Sequence, residues 1–435
     1  MKKYCEYKDS HIGWIGDIPG HWKLKTLRHY LKMVSVKGYP DEQLLSVVRE
    51  QGVIVRNTES QEENHNFIPD DLSGYKLVKK GQFAINKMKS WQGSYGVSQY
   101  QGIVSPAYYV CDLNFDNKRF FNEAIRSQVY IPFFTQYSKG IRVGQWDLSP
   151  IGLKSIPFIE PPVAEQQHIV SFLDEKTAKI DEYIDKKNKE IEALKEWKKA
   201  LIAHVVTKGL NTNAKMKDSG VSWIGEMPEH WDIRKMKYTF TERSEKNHPD
   251  EQILCATQNQ GVIPQTLYNN RVVVVNKGFE NLKFVKKSDF VISLRSFQGG
   301  IEYAYYQGII SAAYTILYPN KIIDSEYAKH LLKSHQFIEL LKTCVTGIRE
   351  GQNINYDLLR KKYLPIPPIE EQQEIVEYIE AATTKADKMI VELTNHVESM
   401  KEYKQRLIAD VVTGKINVQP CNLFMNNAYV NEQGC

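Results

Sequence analysis

The sequence has 435 residues, of which 42% are hydrophobic and 25% charged, and this predicts an ordinary globular protein of about two to four domains. No run of about 18 apolar residues is present, and residues 1–10 are polar and charged, so neither a membrane helix nor a secretory signal is expected. The six cysteines are scattered without a Cys-x-x-Cys pair. We therefore expect no structural zinc, no disulfide framework and a reducing cytoplasm.

The net charge is only +5, but the positive charge lies in two blocks. Residues 1–155 contain 21 basic and 15 acidic residues, and residues 211–362 contain 21 and 16. The segments that follow each block, 156–210 and 363–417, are slightly acidic. Two separate basic modules favour a polyanion that is bound in two places.

The chain contains a tandem repeat that covers nearly its whole length. Trp14-Ile15-Gly16 and His21-Trp22 recur 209 positions later as Trp223-Ile224-Gly225 and His230-Trp231. Pro-Asp-Glu-Gln recurs at 40–43 and 249–252, and Pro-Pro-x-x-Glu-Gln-Gln at 161–167 and 367–373. The copies agree at their beginnings and ends and differ in the middle. This indicates two units with a shared framework and different interiors.

The first part of each copy predicts a mixed domain of the α+β class. Alternating short apolar runs between Gly, Asn and Asp breaks predict strands, and a longer helical stretch follows in each copy. The predicted strands are 52–55, 83–85 and 108–110 in the first copy and 271–275, 290–292 and 314–317 in the second; the helical stretches are 121–138 and 325–344.

The second part of each copy predicts a long helix, because apolar residues recur at alternating steps of four and three and charged residues lie between them. The two series have the same register at a shift of 206. The predicted seam residues are Leu173, Ile180, Ile184, Ile191, Leu194 and Leu201 in the first helix, and Ile379, Ile390, Leu393, Val397, Met400 and Leu407 in the second, with Lys198 and Lys404 also in the series.

We expect the two helices to pair as an antiparallel coiled coil between the two domains, with an approximate two-fold axis relating the copies. The predicted boundaries are 1–155 for the first domain, 156–210 for the first helix, 211–362 for the second domain, 363–417 for the second helix and 418–435 for a C-terminal tail.

This arrangement resembles the specificity subunits of type I restriction–modification systems. The resemblance covers roughly residues 5–417 and rests on the two Pro-Pro-x-x-Glu-Gln-Gln motifs, the two Trp-Ile-Gly motifs and Asn86 to Gly93. It implies two target-recognition domains for double-stranded DNA, each reading one half of an asymmetric split site. It also implies that the helices bind two methyltransferase subunits, to which restriction–translocase subunits attach, and that S-adenosylmethionine, ATP and Mg²⁺ belong to those partners.

The motifs of an enzyme are not found in the chain. It has no Gly-x-x-x-x-Gly-Lys-[Ser/Thr] phosphate loop and no Gly-x-Gly-x-x-Gly between a strand and a helix. Glu160 to Val163 lacks the aromatic residue of the adenine-methyltransferase signature Asp-Pro-Pro-aromatic, and the 11 histidines are dispersed. We expect no catalytic residue, no metal site and no cofactor in this chain.

Candidate DNA contacts are residues whose side chains can form bidentate hydrogen bonds with base edges, found beside glycines. They are Arg49, Gln51, Lys87, Lys89, Ser90, Trp91, Gln92 and Tyr95 in the first domain, and Gln258, Asn259, Gln260, Arg295, Ser296, Phe297 and Gln298 in the second. Arg142 and Arg349 lie in matched Gly-Ile-Arg segments, and we assign them to phosphate contact or to the fold because both copies share them.

Two other functions fit parts of the sequence. A two-headed DNA-binding scaffold or regulator without restriction partners would have the same two basic domains, and co-purification of a methyltransferase would distinguish the two cases. An RNA-binding module would need aromatic residues clustered on one strand face. The aromatic residues here are spread over both domains.

Overall fold

The structure, a computed structural model, describes residues 2–57, 68–140, 146–268, 278–347 and 353–419. The chain forms two compact units. The first combines residues 1–186 with 396–435, and the second comprises residues 187–395. Each unit therefore contains one mixed domain and a segment of both long helices.

The first unit contains fourteen short strands among its described residues, all paired antiparallel. The strands are β1 Tyr7–Asp9, β2 Asp17–Pro19, β3 Lys23–Thr26, β4 Leu31–Val34, β5 Leu45–Val48, β6 Gly52–Val55, β7 Lys76–Val78, β8 Phe83–Ile85, β9 Tyr95–Val97, β10 Gly102–Val104, β11 Tyr109–Leu113, β12 Ser138–Lys139, β13 Asp147–Leu148 and β14 Pro157–Glu160. The helices are α1 Lys118–Arg126, α2 Ile131–Gln136, α3 Pro150–Ser155 and the long α4 Val163–Lys208, which continues into the second unit.

The second unit repeats this order strand by strand. The strands are β15 Met216–Asp218, β16 Glu226–Pro228, β17 Asp232–Lys235, β18 Phe240–Arg243, β19 Leu254–Thr257, β20 Gly261–Pro264, β21 Lys283–Val285, β22 Phe290–Ile292, β23 Glu302–Tyr303, β24 Gly308–Ile310, β25 Thr315–Pro319, β26 Val345–Thr346, β27 Asn353–Ile354 and β28 Tyr363–Ile366. The helices are α5 Met236–Thr239, α6 Ser296–Gly299, α7 Ser325–Leu331, α8 His335–Lys342, α9 Tyr356–Leu359 and the long α10 Ile369–Val412. The short α-helices α5 and α6 lie where the first unit has 3₁₀ helices.

Sheet pairing is the same in both units. The main sheet has the order β4-β11-β8-β9 in the first unit and β18-β25-β22-β23 in the second, and each of the smaller sheets also has a counterpart. Short 3₁₀ helices lie at Leu27–His29, Ser90–Gln92, Gln265–Leu267 and Phe279–Asn281. The repeat seen in the sequence is thus also a repeat of the fold.

The predicted strands 52–55, 83–85 and 290–292 are confirmed, whereas each predicted helical stretch is broken into two helices. Ser127 ends α1, and Ser334 caps α8 by accepting a hydrogen bond from the Phe337 backbone amide at 3.4 Å. Serine favours such capping positions because its hydroxyl competes with the helical backbone. The predicted strand 271–275 lies outside the described residues.

Both long helices begin later than predicted, at Val163 and Ile369 instead of 156 and 363. The residues just before them form β14 and β28, which pair with β3 and β17. These strands complete the domains, so the domain boundaries fall at the Pro-Pro pairs, where each helix begins.

The Pro-Pro-x-x-Glu-Gln-Gln motif shapes the first turn of each long helix. The buried Gln166 side chain donates from Nε2 to the Pro161 carbonyl, and Gln372 donates to the Pro367 carbonyl, each at 2.8 Å. These bonds satisfy carbonyls that precede the helix and have no strand partner, and they explain why both copies require this glutamine.

The glutamate of the same motif joins each helix to its domain. Glu165 accepts hydrogen bonds from Trp22 Nε1 at 3.0 Å and from His21 at 2.5 Å. Glu371 accepts them from Trp231 Nε1 at 2.9 Å and from His230 at 2.7 Å. Both tryptophans are fully buried.

The two long helices run antiparallel inside each unit. In the first, Gly414 at the end of α10 packs on Trp22, which binds the start of α4; in the second, Gly209 at the end of α4 packs on Trp231. Both glycines have positive φ, +76° and +74°, and an added Cβ would lie 3.0 or 3.1 Å from the indole ring. Glycine is needed here for its conformation and for its small size.

The predicted seam residues are buried or half-buried, and nearly all the residues between them are exposed. The two lysines in the seam form ion pairs between the helices. Lys404 bonds both Asp181 oxygens at 2.7 Å in the first unit, and Lys198 pairs with Asp387 in the second. The two pairs occupy equivalent positions, 206 residues apart. A charged residue at one seam position sets the register of a helix pair.

None of the helices in the described ranges combines the length and the apolar character that crossing a bilayer requires.

Replacing Glu165 with Ala should lower the free energy of unfolding by about 1–3 kcal/mol, because a buried indole N–H loses its acceptor. Glu371→Ala should have the same effect on the second unit. Urea unfolding followed by tryptophan fluorescence would measure both. The control is Glu175→Ala, which changes an exposed carboxylate of α4 and should leave the midpoint unchanged. Equal midpoints for all three variants would contradict this role of the glutamates.

Candidate nucleic-acid interface

Each domain presents an exposed hairpin turn at the same place. Residues 49–51 connect β5 to β6, and residues 258–260 connect β19 to β20. Gly52 and Gly261 follow these turns with φ of +77° and +73°. A three-residue loop closed by a left-handed glycine is a common and well-defined hairpin connection.

The side chains that these turns expose include most of the polar candidates. Arg49 and Gln51 are exposed in the first domain, and Gln258, Asn259 and Gln260 in the second. In the second turn, Thr257 adds rigidity, since its hydroxyl accepts from the Gln260 amide at 3.0 Å and donates to the Gly261 carbonyl at 2.9 Å.

A second candidate segment lies beside each turn. In the first domain this is the 3₁₀ helix Ser90–Gln92, and Arg49 Cγ lies 4.0 Å from the position that a Cβ on Gly93 would occupy. In the second domain this is α6, and Gln258 Nε2 donates to Gln298 Oε1 at 3.2 Å. The structure thus brings together candidates that lie about 40 residues apart in the sequence.

Three predicted contact residues are wrong, because they are buried in the domains. Tyr95 is completely buried and stacks on Phe134 at 3.9 Å between ring centroids. Ser90 donates to the Lys87 carbonyl at 3.2 Å, and Ser296 accepts from the Ser293 amide at 2.8 Å. These serines stabilise the short helices that carry the exposed candidates.

The remaining candidates differ in exposure. Lys89, Arg295 and Gln298 are exposed, and Gln92 and Phe297 are half-buried. Lys87 is bound to Asp147 at 2.8 Å, and the hydrogen bond and the Asp147 charge raise its pKa.

Trp91 is also half-buried, and it donates from Nε1 to the Met88 carbonyl at 3.2 Å. The centroid of its ring lies 5.1 Å from that of Trp146, so Trp91 packs partly against its own domain. Arg142 and Arg349 lie outside the described residues.

Two basic residues donate hydrogen bonds to backbone carbonyls of the hairpin turns. Neither residue is among the candidates selected from the sequence. In the first domain, Arg126 donates to the Arg49, Glu50 and Tyr95 carbonyls at 3.0, 2.9 and 2.5 Å. In the second, Lys333 donates to the Gln258 carbonyl at 2.9 Å. We call these residues the turn clamps.

The second turn clamp includes a buried carboxylate. Lys333 Nζ lies 2.7 Å from both oxygens of Glu302, whose side chain is only 2% exposed. Burial raises the pKa of the Glu302 carboxyl to about 7, although the Lys333 ammonium acts in the opposite direction. In the first domain, burial lowers the pKa of Arg126.

In the first unit a cleft of about 700 Å³ separates the hairpin turn from the helix pair. Its lining includes the basic residues Arg49, Arg126, Lys401 and Lys404 and the acidic residues Glu50, Glu123 and Asp181. Burial raises the pKa of Glu123. The described residues contain no group of three or more His, Cys, Asp or Glu that could hold a metal ion.

The arrangement offers hydrogen-bonding side chains on rigid turns. Arg can bond guanine and Asn or Gln can bond adenine through two hydrogen bonds in the major groove. The turns of the two domains share a backbone position and differ in side chains, as two reading heads of different specificity would.

Comparisons with known proteins agree with this organisation. The family model for the type I restriction modification DNA specificity domain matches residues 216–399, which include the second hairpin turn and most of α10. The first copy, which lies outside this match, repeats the same strands and motifs.

Full-length similarity is found as well. The putative type I restriction enzyme MjaX specificity subunit of Methanocaldococcus jannaschii is 23% identical over 429 residues, covering 93% of this chain and 96% of that protein. The MjaVIII specificity subunit of the same organism is 24% identical, covering 67% of this chain and 68% of that protein.

Among solved structures, a chain from a study of complex assembly and conformational transition of the type I restriction–modification system has a similar fold. It aligns with a TM-score of 0.65 at 14% identity, covering 92% of this chain and 99% of that one. In its second domain and helix, in its full-length relatives and in its fold, this chain is similar to type I restriction–modification DNA-specificity subunits.

Proposed function

We propose that this chain reads the two halves of an asymmetric split site in double-stranded DNA, one with each hairpin turn and its neighbouring short helix. The observation that carries the proposal is the pair of exposed turns, Arg49–Gln51 and Gln258–Gln260, which occupy one backbone position in the repeat and carry different side chains. The net positive charge of both domains supports contacts with phosphates.

The chain acts without a catalytic residue of its own in this proposal. Methyltransferase subunits supply S-adenosylmethionine chemistry, and restriction–translocase subunits bound through them use ATP and Mg²⁺. The absence of a phosphate loop and of a dinucleotide-type glycine motif from the sequence supports this division of labour.

Two methyltransferase subunits would bind the long helices, one at each unit. Equivalent large side chains, more than a third exposed, flank each interhelical ion pair: Tyr183 and Tyr403 beside Asp181–Lys404, and Met389 and Trp197 beside Asp387–Lys198. Exposed large apolar or aromatic side chains at equivalent positions fit two copies of one partner.

The paired helices would also set the spacing of the half-sites. Heads on one face of the duplex are about one turn apart, roughly 10 bp centre to centre. With halves of about 3–5 bp, the unread gap is roughly 5–8 bp on the same geometry.

Replacing Gln258, Asn259 and Gln260 with Ala should change one half of the methylated motif, since each base contact contributes about 1–3 kcal/mol of discrimination. Replacing Arg49 and Gln51 with Ala should change the other half. Methylome sequencing of strains that carry each variant, or lack the gene, measures the result. A motif that survives gene deletion would show that this chain does not determine it. A change in both halves from either variant would refute independent reading by the two turns.

Insertion of one heptad into each long helix, after Lys186 and after Glu398, keeps both ion pairs and adds about 10 Å between them. This is about the length of three base pairs. Methylation at the original gap should be lost, and any new motif should keep both half-sites. The control is the length-neutral exchange Asp181→Lys with Lys404→Asp, which should keep the gap. An unchanged gap after insertion would show that the helices do not set it.

Replacing Trp197 and Met389 with Ala should reduce the number of co-purified methyltransferase subunits from two to one, and adding Tyr183→Ala and Tyr403→Ala should remove the second. The expected reason is loss of the apolar contact at one site, then at both. Native mass spectrometry of the purified complex would count the subunits. The control Lys195→Ala changes an exposed helix position away from this surface. Two bound subunits in the fourfold variant would rule out this docking surface.

A further inference from the structure

The two turn clamps occupy equivalent positions but use different chemistry. Arg126 ends α1, and Lys333 follows α7, its counterpart. Both donate to the first carbonyl of a hairpin turn, that of Arg49 or Gln258, and these two residues correspond at the repeat shift of 209. The cation therefore acts on the backbone of the turn and leaves its side chains exposed.

The two clamps also differ at a neighbouring strand position. The second domain has Glu302 there, and the first domain has Gly96, its counterpart at a shift of 206. A Cβ at Gly96 would lie 3.3 Å from the Gly52 Cα and 3.5 Å from Arg126 Nη1. The guanidinium thus fills the space that a side chain at 96 would need. It bonds three carbonyls, whereas the smaller ammonium of Lys333 bonds one carbonyl and a carboxylate.

These contacts restrict the turns in a way that base recognition requires. A bidentate contact with a base depends on placing a side chain to within about 0.5 Å, and a turn fixed only by its two strands is less constrained. Hydrogen bonds from a charged donor are stronger than those from neutral groups, so a cation on the turn carbonyl reduces backbone motion at the reading residue.

We propose that Arg126, and Lys333 together with Glu302, are positioning residues that fix the reading geometry of the hairpin turn in their own domain, so that each controls fidelity at one half-site. This inference rests on the proposed function. It assigns a specificity role to residues that themselves touch no base.

The test uses a double variant, Lys333→Met with Glu302→Gln, because removing only one charge would leave the other buried and unpaired. Methylome sequencing measures the ratio of methylation at correct sites to methylation at sites with one mismatch. This ratio should fall about tenfold in the half-site that Gln258–Gln260 reads, the discrimination of one base contact. It should change less than about twofold in the other half-site.

Arg126→Met should give the converse result, with the loss in the half-site that Arg49 and Gln51 read. Lys333→Arg with Glu302→Gly transplants the first clamp into the second domain and should restore discrimination there. Thermal unfolding of each purified full-length variant accompanies the sequencing. If Arg126→Met unfolds at a lower temperature, Arg126→Lys, which keeps the charge but bonds fewer carbonyls, should show a smaller loss at the same half-site.

Several outcomes would overturn the inference. Unchanged discrimination in the double variant, equal losses in both half-sites, or a uniform loss of methylation without loss of discrimination would each show that the clamps only stabilise the fold. Absence of a split motif in the unaltered strain would instead refute the proposed function, and this inference with it. Half-site-specific loss, restored by the transplanted clamp, would support it.

Discussion

The fold depends on the carboxylate in the first turn of each long helix. Glu165 and Glu371 accept hydrogen bonds from buried indoles of the domains, and this fixes the direction in which each helix leaves its domain. A carboxylate at this position also interacts favourably with the helix dipole. The other helix then ends against the same indole through Gly414 or Gly209. In each unit, one buried tryptophan of the domain therefore contacts both the start of one long helix and the end of the other.

This geometry makes the first unit discontinuous in sequence, and it places segments of both long helices in each unit. The first unit contains the end of α10, and Tyr7 donates to the Gly414 carbonyl across 407 residues. The second contains the end of α4 and the start of α10. Contacts of such large sequence separation form late because closing long loops costs entropy. Both copies share the few interactions that hold this framework together, namely the glutamate–tryptophan hydrogen bonds and the packing of a glycine on each indole. The hairpin turns take no part in these interactions, so their sequences can differ.

The regular parts of the structure follow from the sequence, and the site follows only partly. The seam was predictable because a period of 3.5 residues extends over many turns, and the short strands because they are apolar runs between breaks. Ser90 and Tyr95 were misassigned because they lie among exposed polar residues in the sequence. In a 3₁₀ helix of three residues and the strand that follows, no periodicity distinguishes the buried face.

The turn clamps could not be identified from the sequence, and the reason is a different one. Arg126 and Lys333 lie about 75 residues from the turns that they bind, and nothing local marks them. The signal that was available is weak: both residues are basic, and both lie at the C-terminal end of an equivalent helix in the repeat. The start of each long helix was displaced by strands β14 and β28, whose partners lie more than 100 residues earlier. Long-range pairing of this kind leaves no local pattern.

The difference between the clamps bears on how the two copies of the repeat can diverge in sequence. A hairpin turn moved from one domain to the other without its clamp would lie beside a different cation. Arg126 needs the space at Gly96, and Lys333 needs the carboxylate of Glu302. The smallest unit that can move between such domains therefore includes the hairpin, the strand that carries residue 96 or 302, and the helix end that carries the cation. Because these segments are dispersed along the domain, exchange of a whole domain preserves the clamp where exchange of a turn would not.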